Sequence, residues 1–171
     1  MSHKHAQEPL LILVDKREQL PWKFVDHNVR IVYDILSVGD YSIFGFKDTV
    51  VIERKSLSDL FGSLNSDEKH IDFMAKLQRM STYECKALVI ESTYERILHP
   101  YNVHSRLHPS SVLGTLAKAT AVLNIPVVFA CGRRNAQDFV YRMFRHYKDS
   151  KTALRMDIDT KLRRTFTPLS V

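Results

Sequence analysis

The sequence predicts an α/β sandwich built on a mixed central sheet. Three observations carry that prediction. Short, apolar, β-branched segments cluster in the first third of the chain. Later segments of the same kind alternate with amphipathic stretches of helical period. Gly, Pro and Asn fall at the boundaries of the periodic stretches rather than inside them. The 171 residues, 44% of them apolar, are enough for one domain with a full core.

Leu10 to Val14 is an unbroken apolar run ending at Asp15, too short for a helix and therefore a buried strand. Gln19 to Asn28, with Pro21, is a loop. Val29, Ile31, Tyr33 and Ile35 alternate with their neighbours and predict a second strand. Gly39-Asp40 ends it. Tyr41–Phe44 and Val50–Ile52 form a hairpin around Gly45 to Thr49, so the early strands are expected as a clustered meander. Ser56-Leu57-Ser58-Asp59 fits a capping box, with Asp in the place of the usual Glu or Gln, and opens a helix. A second helix covers Lys69–Met80, with Phe73, Leu77 and Met80 on one face. Lys86–Glu91 is an interior strand. Pro109 suits the first position of a helix reaching Leu123, with Val112, Leu113, Leu116, Thr120 and Leu123 as its core stripe. Val127–Ala130 is a strand, and a last helix is expected over Arg134–Lys148, burying Ala136, Phe139, Val140, Met143, Phe144 and Tyr147. Beyond Asp149 the periodicity is lost. The expected organisation is a flexible N-terminus (1–9), one folded domain (10–148) and a basic C-terminal tail (149–171).

Charge is unevenly placed. Residues 1–132 hold 15 Lys/Arg and 15 Asp/Glu, whereas residues 133–171 hold 10 and 4, so the C-terminal end carries the whole net charge of +6. That asymmetry predicts a polyanion contact there, with Lys161, Arg163 and Arg164 as DNA-binding candidates. Arg106 is a further phosphate-contact candidate. No run approaches the ~20 apolar residues of a membrane span, and Met1–Pro9 lacks a signal-peptide stretch. An intracellular protein is expected: cytoplasmic in a bacterium or phage, nuclear in a eukaryote. Cys85 and Cys131 have no partner at metal-ligand spacing and read as small buried core residues. His99, His104 and His108 fall in one loop region, but their spacing fits no closed zinc site.

The informative chemistry lies at the ends of the early strands. Asp15 follows the first strand and Asp40 opens the hairpin. Glu53 and Lys55 are two apart on a strand, so both project to one face. A carboxylate there can hold a hard divalent cation, and an ammonium beside it can orient or activate a water. Asp40 adds a second oxygen ligand if the hairpin brings it alongside Glu53. Arg54 alternates to the opposite face, where a carboxylate partner is expected. Arg17 and Glu18 are candidates for a surface ion pair, and Asp59 for a helix cap. Tyr41 reads as a packed strand aromatic.

Val14-Asp15-Lys16-Arg17-Glu18, then Val38-Gly39-Asp40-Tyr41, then Ile52-Glu53-Arg54-Lys55-Ser56-Leu57-Ser58-Asp59-Leu60 resembles the XPF family of structure-specific endonucleases. That family is marked by Gly-Asp, a variable gap, Glu-Arg-Lys, three residues and Asp, and the following Gly62-Ser63-Leu64 is similar too. The likeness runs over about residues 10–148. It implies a restriction-endonuclease-like three-layer sandwich and Mg²⁺-dependent cleavage of branched or flapped DNA in repair or recombination, with Mn²⁺ able to substitute. It implies Asp40 and Glu53 as main metal ligands with Asp15 as a third, and Lys55 as the catalytic lysine. Arg17, Glu18, Arg54 and Asp59 line or support the site. Products carry 5′-phosphate and 3′-hydroxyl ends. The chain departs from the family in having no room for a helix-hairpin-helix region after the nuclease domain, as in short standalone bacterial or phage-type members. Ser105-Arg106-Leu107-His108-Pro109 resembles those members. The usual Gly-Arg after the first catalytic helix is replaced by Asn65-Ser66-Asp67-Glu68-Lys69. A missing second module leaves room for self-association as a homodimer, and the sequence does not decide the oligomeric state. The competing readings are a catalytically silent DNA-binding subunit, which the intact Asp, Glu, Lys set opposes, and an enzyme on small phosphorylated ligands, which the lack of a glycine cluster opposes.

Overall fold

The structure is a computed structural model that describes residues 8–101 and 107–165, with side chains described through residue 161. Its strands are β1 (Leu10–Asp15), β2 (Val29–Asp34), β3 (Tyr41–Ile43), β4 (Val50–Lys55), β5 (Cys85–Ile90) and β6 (Val127–Phe129). Its helices are α1 (Leu57–Gly62), α2 (Asp67–Met80), α3 (Tyr94–Leu98), α4 (Pro109–Ala121) and α5 (Arg133–Thr165). The strands form one mixed sheet in the order β2-β1-β3-β4-β5-β6, in which β3 alone runs against the rest.

The pairing of β1 with β2 corrects the expected meander: the two are parallel, in register from Leu10↔Val29 to Asp15↔Asp34. A parallel pair needs a crossover. The segment between them supplies one without a helix, because it buries Trp22 and Phe24 against the sheet. Trp22 stacks on Tyr41 at 4.3 Å between ring centroids, and its backbone N–H donates to the Tyr41 hydroxyl at 2.8 Å. Tyr41 is thus the packed strand aromatic that the alternation predicts.

Side-chain alternation on the central strands divides the core in two. Val51, Leu88 and Ile90 face α1, α2, α3 and α4. Val50, Ile52, Ala87 and Val89 face Trp22, Phe24 and the α5 residues Ala136, Val140 and Phe144. Both faces of β4 and β5 are therefore buried, which is why these strands read as continuous apolar runs rather than alternating ones. The same parity decides which way each charged residue at the strand ends points.

α1 begins as expected. Ser56 Oγ accepts from the Asp59 N–H at 3.1 Å and donates to Asp59 Oδ2 at 2.7 Å, so the Asp side chain braces the capping hydroxyl. On α4 the buried positions are Val112, Thr115, Leu116 and Ala119, while Thr120, expected in the stripe, is exposed. Phe139 is likewise exposed rather than buried. Cys131 corrects the expectation of two buried thiols: it lies exposed in a turn with φ 55, and only Cys85 is half-buried.

The largest difference is at the C-terminal end. α5 does not stop at Lys148 but continues to Thr165. No Gly or Pro interrupts residues 149–165, and Ala153, Leu154, Arg155 and Met156 favour helix. The apolar period ends because the helix leaves the body, not because the helix ends. Leu154, Met156 and Ile158 are exposed, and Lys161 pairs with Asp157 at 2.8 Å, one turn back.

Candidate active site

The C-terminal ends of β1 and β4 and the start of β3 meet at one edge of the sheet. Register places Val14 opposite Tyr41 and Tyr41 opposite Ile52, so Asp15, Asp40 and Glu53 follow in one row across three strands. The backbone fixes that row: the Asp15 N–H donates to the Asp40 carbonyl at 2.9 Å, and the Asp40 N–H to the Ile52 carbonyl at 2.8 Å. Gly39 makes the approach possible. Its φ is +76°, and a Cβ there would lie 2.3 Å from Val51 Cγ2 and 3.0 Å from the Ile52 carbonyl oxygen. Only glycine lets the chain turn into β3 this close to β4.

A cleft of about 450 Å³ opens at this edge. It is lined by all eight residues expected in the reaction site: Asp15, Arg17, Glu18, Asp40, Glu53, Arg54, Lys55 and Asp59. Ser37, Lys76 and Arg79 complete much of the wall. The carboxylates differ sharply in their partners.

Asp15 is fully engaged. Its Oδ1 accepts from the Arg17 N–H at 2.8 Å and Arg17 Nε at 2.7 Å, and its Oδ2 from Arg17 Nη2 at 2.8 Å and the Leu36 N–H at 2.7 Å. Burial alone would raise its pKa, but these bonds outweigh it and hold the carboxyl down to about 2. Asp15 thus anchors Arg17 and the turn at Leu36. Arg17 pairs with this neighbour rather than with Glu18.

Asp40 is the reverse case. Its Oδ2 accepts the Arg54 N–H at 2.7 Å. Burial, then the nearby Glu53 charge, push its carboxyl up to about 7. Glu53 is 1% exposed and receives two lysines. Lys76 Nζ donates to Oε1 at 2.9 Å and Oε2 at 3.1 Å, and Lys55 Nζ stands 3.3 Å from Oε1. Lys55 also lies 5.1 Å over the centre of the Phe73 ring, so it is held between a β4 carboxylate and an α2 aromatic.

Arg54 points to the other face, as alternation requires. Its Nε and Nη2 donate to Glu91 at 2.9 Å each, and Nη1 is 3.5 Å from Glu18. Glu91 also accepts from the Trp22 indole at 2.6 Å and from Arg133 at 3.3 Å. This buried network ties β4, β5, the β1–β2 segment and the start of α5 together behind the site. Asp59, expected to line the site or to cap α1, does both.

Lys76 and Glu91 are site residues that no sequence motif singles out. Each left a signal. Lys76 is the charged member of the Phe73, Lys76, Leu77, Met80 stripe on α2, and a charge inside a buried arc demands a partner. Glu91 ends an apolar strand just as Asp15 does.

Among the described residues, no three His, Cys, Asp or Glu side chains form a ready metal cage. The donor set fits a hard cation as a pair. Asp40 and Glu53 are half-buried and buried carboxylates on one face, and Asp40 has no cationic side chain bonded to it in the geometry above. Asp15, the expected third ligand, stands in the same row, with its oxygens bonded to Arg17 and to the Leu36 N–H. Of the expected DNA contacts, Arg106 lies outside the described residues. Arg163 and Arg164 lie on α5 without described side chains, and Lys161 is exposed beside Asp157.

The ERCC4 domain family matches residues 14–143. The chain belongs to that family. Its match spans the site row, the cleft and the first turns of α5. Among solved structures, XPF from Aeropyrum pernix aligns with a TM-score of 0.65 at 18% identity, covering 94% of this chain and 75% of that one. A second structure, of XPF from Aeropyrum pernix in complex with DNA, aligns at 0.63 and 19% identity, covering 82% and 66%. The ERCC4 domain here therefore has the restriction-endonuclease-like α/β fold that the sequence resemblance implied. A search of curated proteins gives no match. Among the described residues, no helix is long and apolar enough to cross a membrane.

Proposed function

We propose that this ERCC4 domain is a DNA endonuclease that hydrolyses phosphodiester bonds with the help of Mg²⁺ or Mn²⁺, at branched or flapped DNA. One observation carries the reading. Asp40 and Glu53 face the same cleft from adjacent strands, with Lys55 two residues beyond Glu53 on the same side. The DNA seen with the Aeropyrum pernix XPF supports DNA as the partner.

On this reading Asp40 and Glu53 hold the cation. A bound divalent cation supplies charge neutralisation at the phosphate and lowers the pKa of a water. Lys55 is kept beside Glu53 by that carboxylate and by the Phe73 ring. From there its ammonium orients the attacking water and offsets charge developing on the phosphate. Arg17, fixed by Asp15, presents its exposed guanidinium to the cleft as a phosphate contact. Arg54 does not reach the substrate. It clamps Glu91 and Glu18, and its backbone N–H orients Asp40.

The expected clamp at the basic end changes with the geometry. Arg133 opens α5 near the cleft, donating to the Leu20 and Pro21 carbonyls and to Glu91. Tyr147 and Lys151 then bond Glu84, which precedes β5, and Tyr147 packs on Phe46 in the β3–β4 turn. α5 therefore carries its basic end away from the cleft, to the opposite pole of the sheet. A DNA contact there engages a duplex arm remote from the cut. Self-association is tested by light scattering on the purified chain.

The deciding experiment incubates the purified protein with labelled duplex, flap, fork and single-stranded DNA in Mg²⁺, Mn²⁺ or EDTA. Cleavage of a branched substrate with either cation, absent in EDTA and in Glu53→Gln, is the expected outcome. Cleavage that survives EDTA defeats the reading.

A further inference from the structure

The cleft holds two ammonium groups on one carboxylate, and the reading above uses only one of them. Lys55 approaches a single oxygen of Glu53 at 3.3 Å. Lys76 spans both, at 2.9 and 3.1 Å. A grip on both oxygens of a buried carboxylate is also what a hard cation takes. Lys76 reaches Glu53 from the middle of α2, and its side chain is 34% exposed against 14% for Lys55. It is the more open of the two and also feels the Asp40 charge.

We propose that Lys76 is the resident counter-ion of the Glu53–Asp40 pair, a positioning residue that a divalent cation must displace to load the site. The proposal rests on the metal-site reading above. Without a cation, Glu53 and Asp40 are two carboxylates on adjacent strands in a buried row, and Lys76 offsets their repulsion. With a cation, two positive groups compete for the same oxygens, and the flexible lysine is the one able to leave. Lysine suits this use because it is a point charge on a four-carbon stem, whereas arginine would grip both oxygens with a rigid fork.

The full chain is titrated with Mn²⁺ at pH 8 without DNA, followed by electron paramagnetic resonance of free Mn²⁺, and melted in EDTA. Lys76→Met is expected to bind Mn²⁺ more tightly, by about tenfold, because a competing positive charge is removed from the same oxygens. Its Tm in EDTA is expected to fall, by roughly 3–6 °C, because Glu53 loses a partner. Lys76→Gln gives the same signs with a polar head retained, which covers a Met variant that folds poorly. Lys76→Arg restores the Tm and binds Mn²⁺ no more tightly than wild type. A role in packing alone lowers stability and weakens the metal together, so the opposite signs are the signature. Unchanged or weaker Mn²⁺ binding in both Lys76→Met and Lys76→Gln overturns the proposal. If wild type binds Mn²⁺ and Asp40→Asn does not, the metal site stands whatever Lys76 does. If wild type and both neutral variants bind no Mn²⁺, the metal-site reading and this proposal fall together.

Discussion

Asp40→Asn separates the reaction from the fold in a single atom. In the folded chain burial and Glu53 raise the Asp40 carboxyl from 3.8 to about 7. The stabilising form is therefore the neutral one. Its contribution is complete below the unfolded value near 4 and is lost as pH rises through about 7. At pH 8 in EDTA the ionised Asp40 costs the fold on the order of 4 kcal/mol. Asn keeps the acceptor for the Arg54 N–H, which Asp40 takes at 2.7 Å, and carries no charge at any pH. Solvent reaching a half-buried group reduces the figure, so Asn is expected to be more stable than Asp by about 2–4 kcal/mol at pH 8. For a chain of this size that is a Tm higher by roughly 5–12 °C. The assay is thermal melting of both proteins in EDTA from pH 5 to 8.5, read as a difference, so that groups common to both cancel. The gap should be small at pH 5 and open towards pH 8. Added Mg²⁺ should raise the wild-type Tm and leave Asp40→Asn unchanged, while the variant cuts no DNA. Parallel pH profiles, or an Asn variant less stable at pH 8, would refute the assignment of a strained, cation-seeking carboxylate.

Three further outcomes follow from the same geometry. Lys55→Arg and Lys55→Ala should each lose most cleavage activity, at least about 100-fold, while Mn²⁺ titration shows an intact site, since Lys55 is no ligand. Gly39→Ala forces a Cβ to within 2.3 Å of Val51 at φ +76°, so it should lower stability by about 2 kcal/mol or more in urea melts and abolish cleavage by moving Asp40. Truncation after Asp149 removes Arg155, Arg163 and Arg164 together with Lys151 and Lys161, which are partly spent on Glu84 and Asp157. The log–log salt slope of DNA binding should flatten by about 2–4, with turnover at saturating DNA unchanged, whereas an unchanged slope with a lower Tm marks a packing role instead.

Much of this was legible because strand periodicity is a hard constraint. Residues two apart share a face, so Glu53 and Lys55 had to point together and Arg54 away, and the structure gives Arg54 the opposite-face carboxylates that this demands. The Ser56 cap and the start of α4 at Pro109 were equally local and equally legible. What failed was non-local. Nothing in residues 16–28 states that the chain recrosses to a parallel β2, because the burial of Trp22 depends on Tyr41 and Glu91. The hydrogen-bonded state of the third acid was not legible for a similar reason. Asp15 occupies a ligand-like place in the row, but Arg17 and the Leu36 N–H already satisfy it. The loss of apolar period after Asp149 reports exposure, which does not by itself end a helix.

The charges around the cleft bind the two halves of the proposal together. Its walls carry Asp15, Glu18, Asp40, Glu53 and Asp59 against Arg17, Arg54, Lys55, Lys76 and Arg79, an equal number of each sign. Most of the bases are spent inside the protein: Arg17 on Asp15, Arg54 on Glu91 and Glu18, Lys76 on Glu53. Such a wall has no net pull on a phosphodiester. Asp40 and Glu53 would hold a divalent cation, whose charge would neutralise that pair, free Lys76 from Glu53 and leave the cleft positive where the phosphate must sit. On this reading the cation is needed for DNA to enter the cleft as well as for the cut. The basic end of α5, at the opposite pole and untouched by the cation, is then expected to supply DNA binding in EDTA.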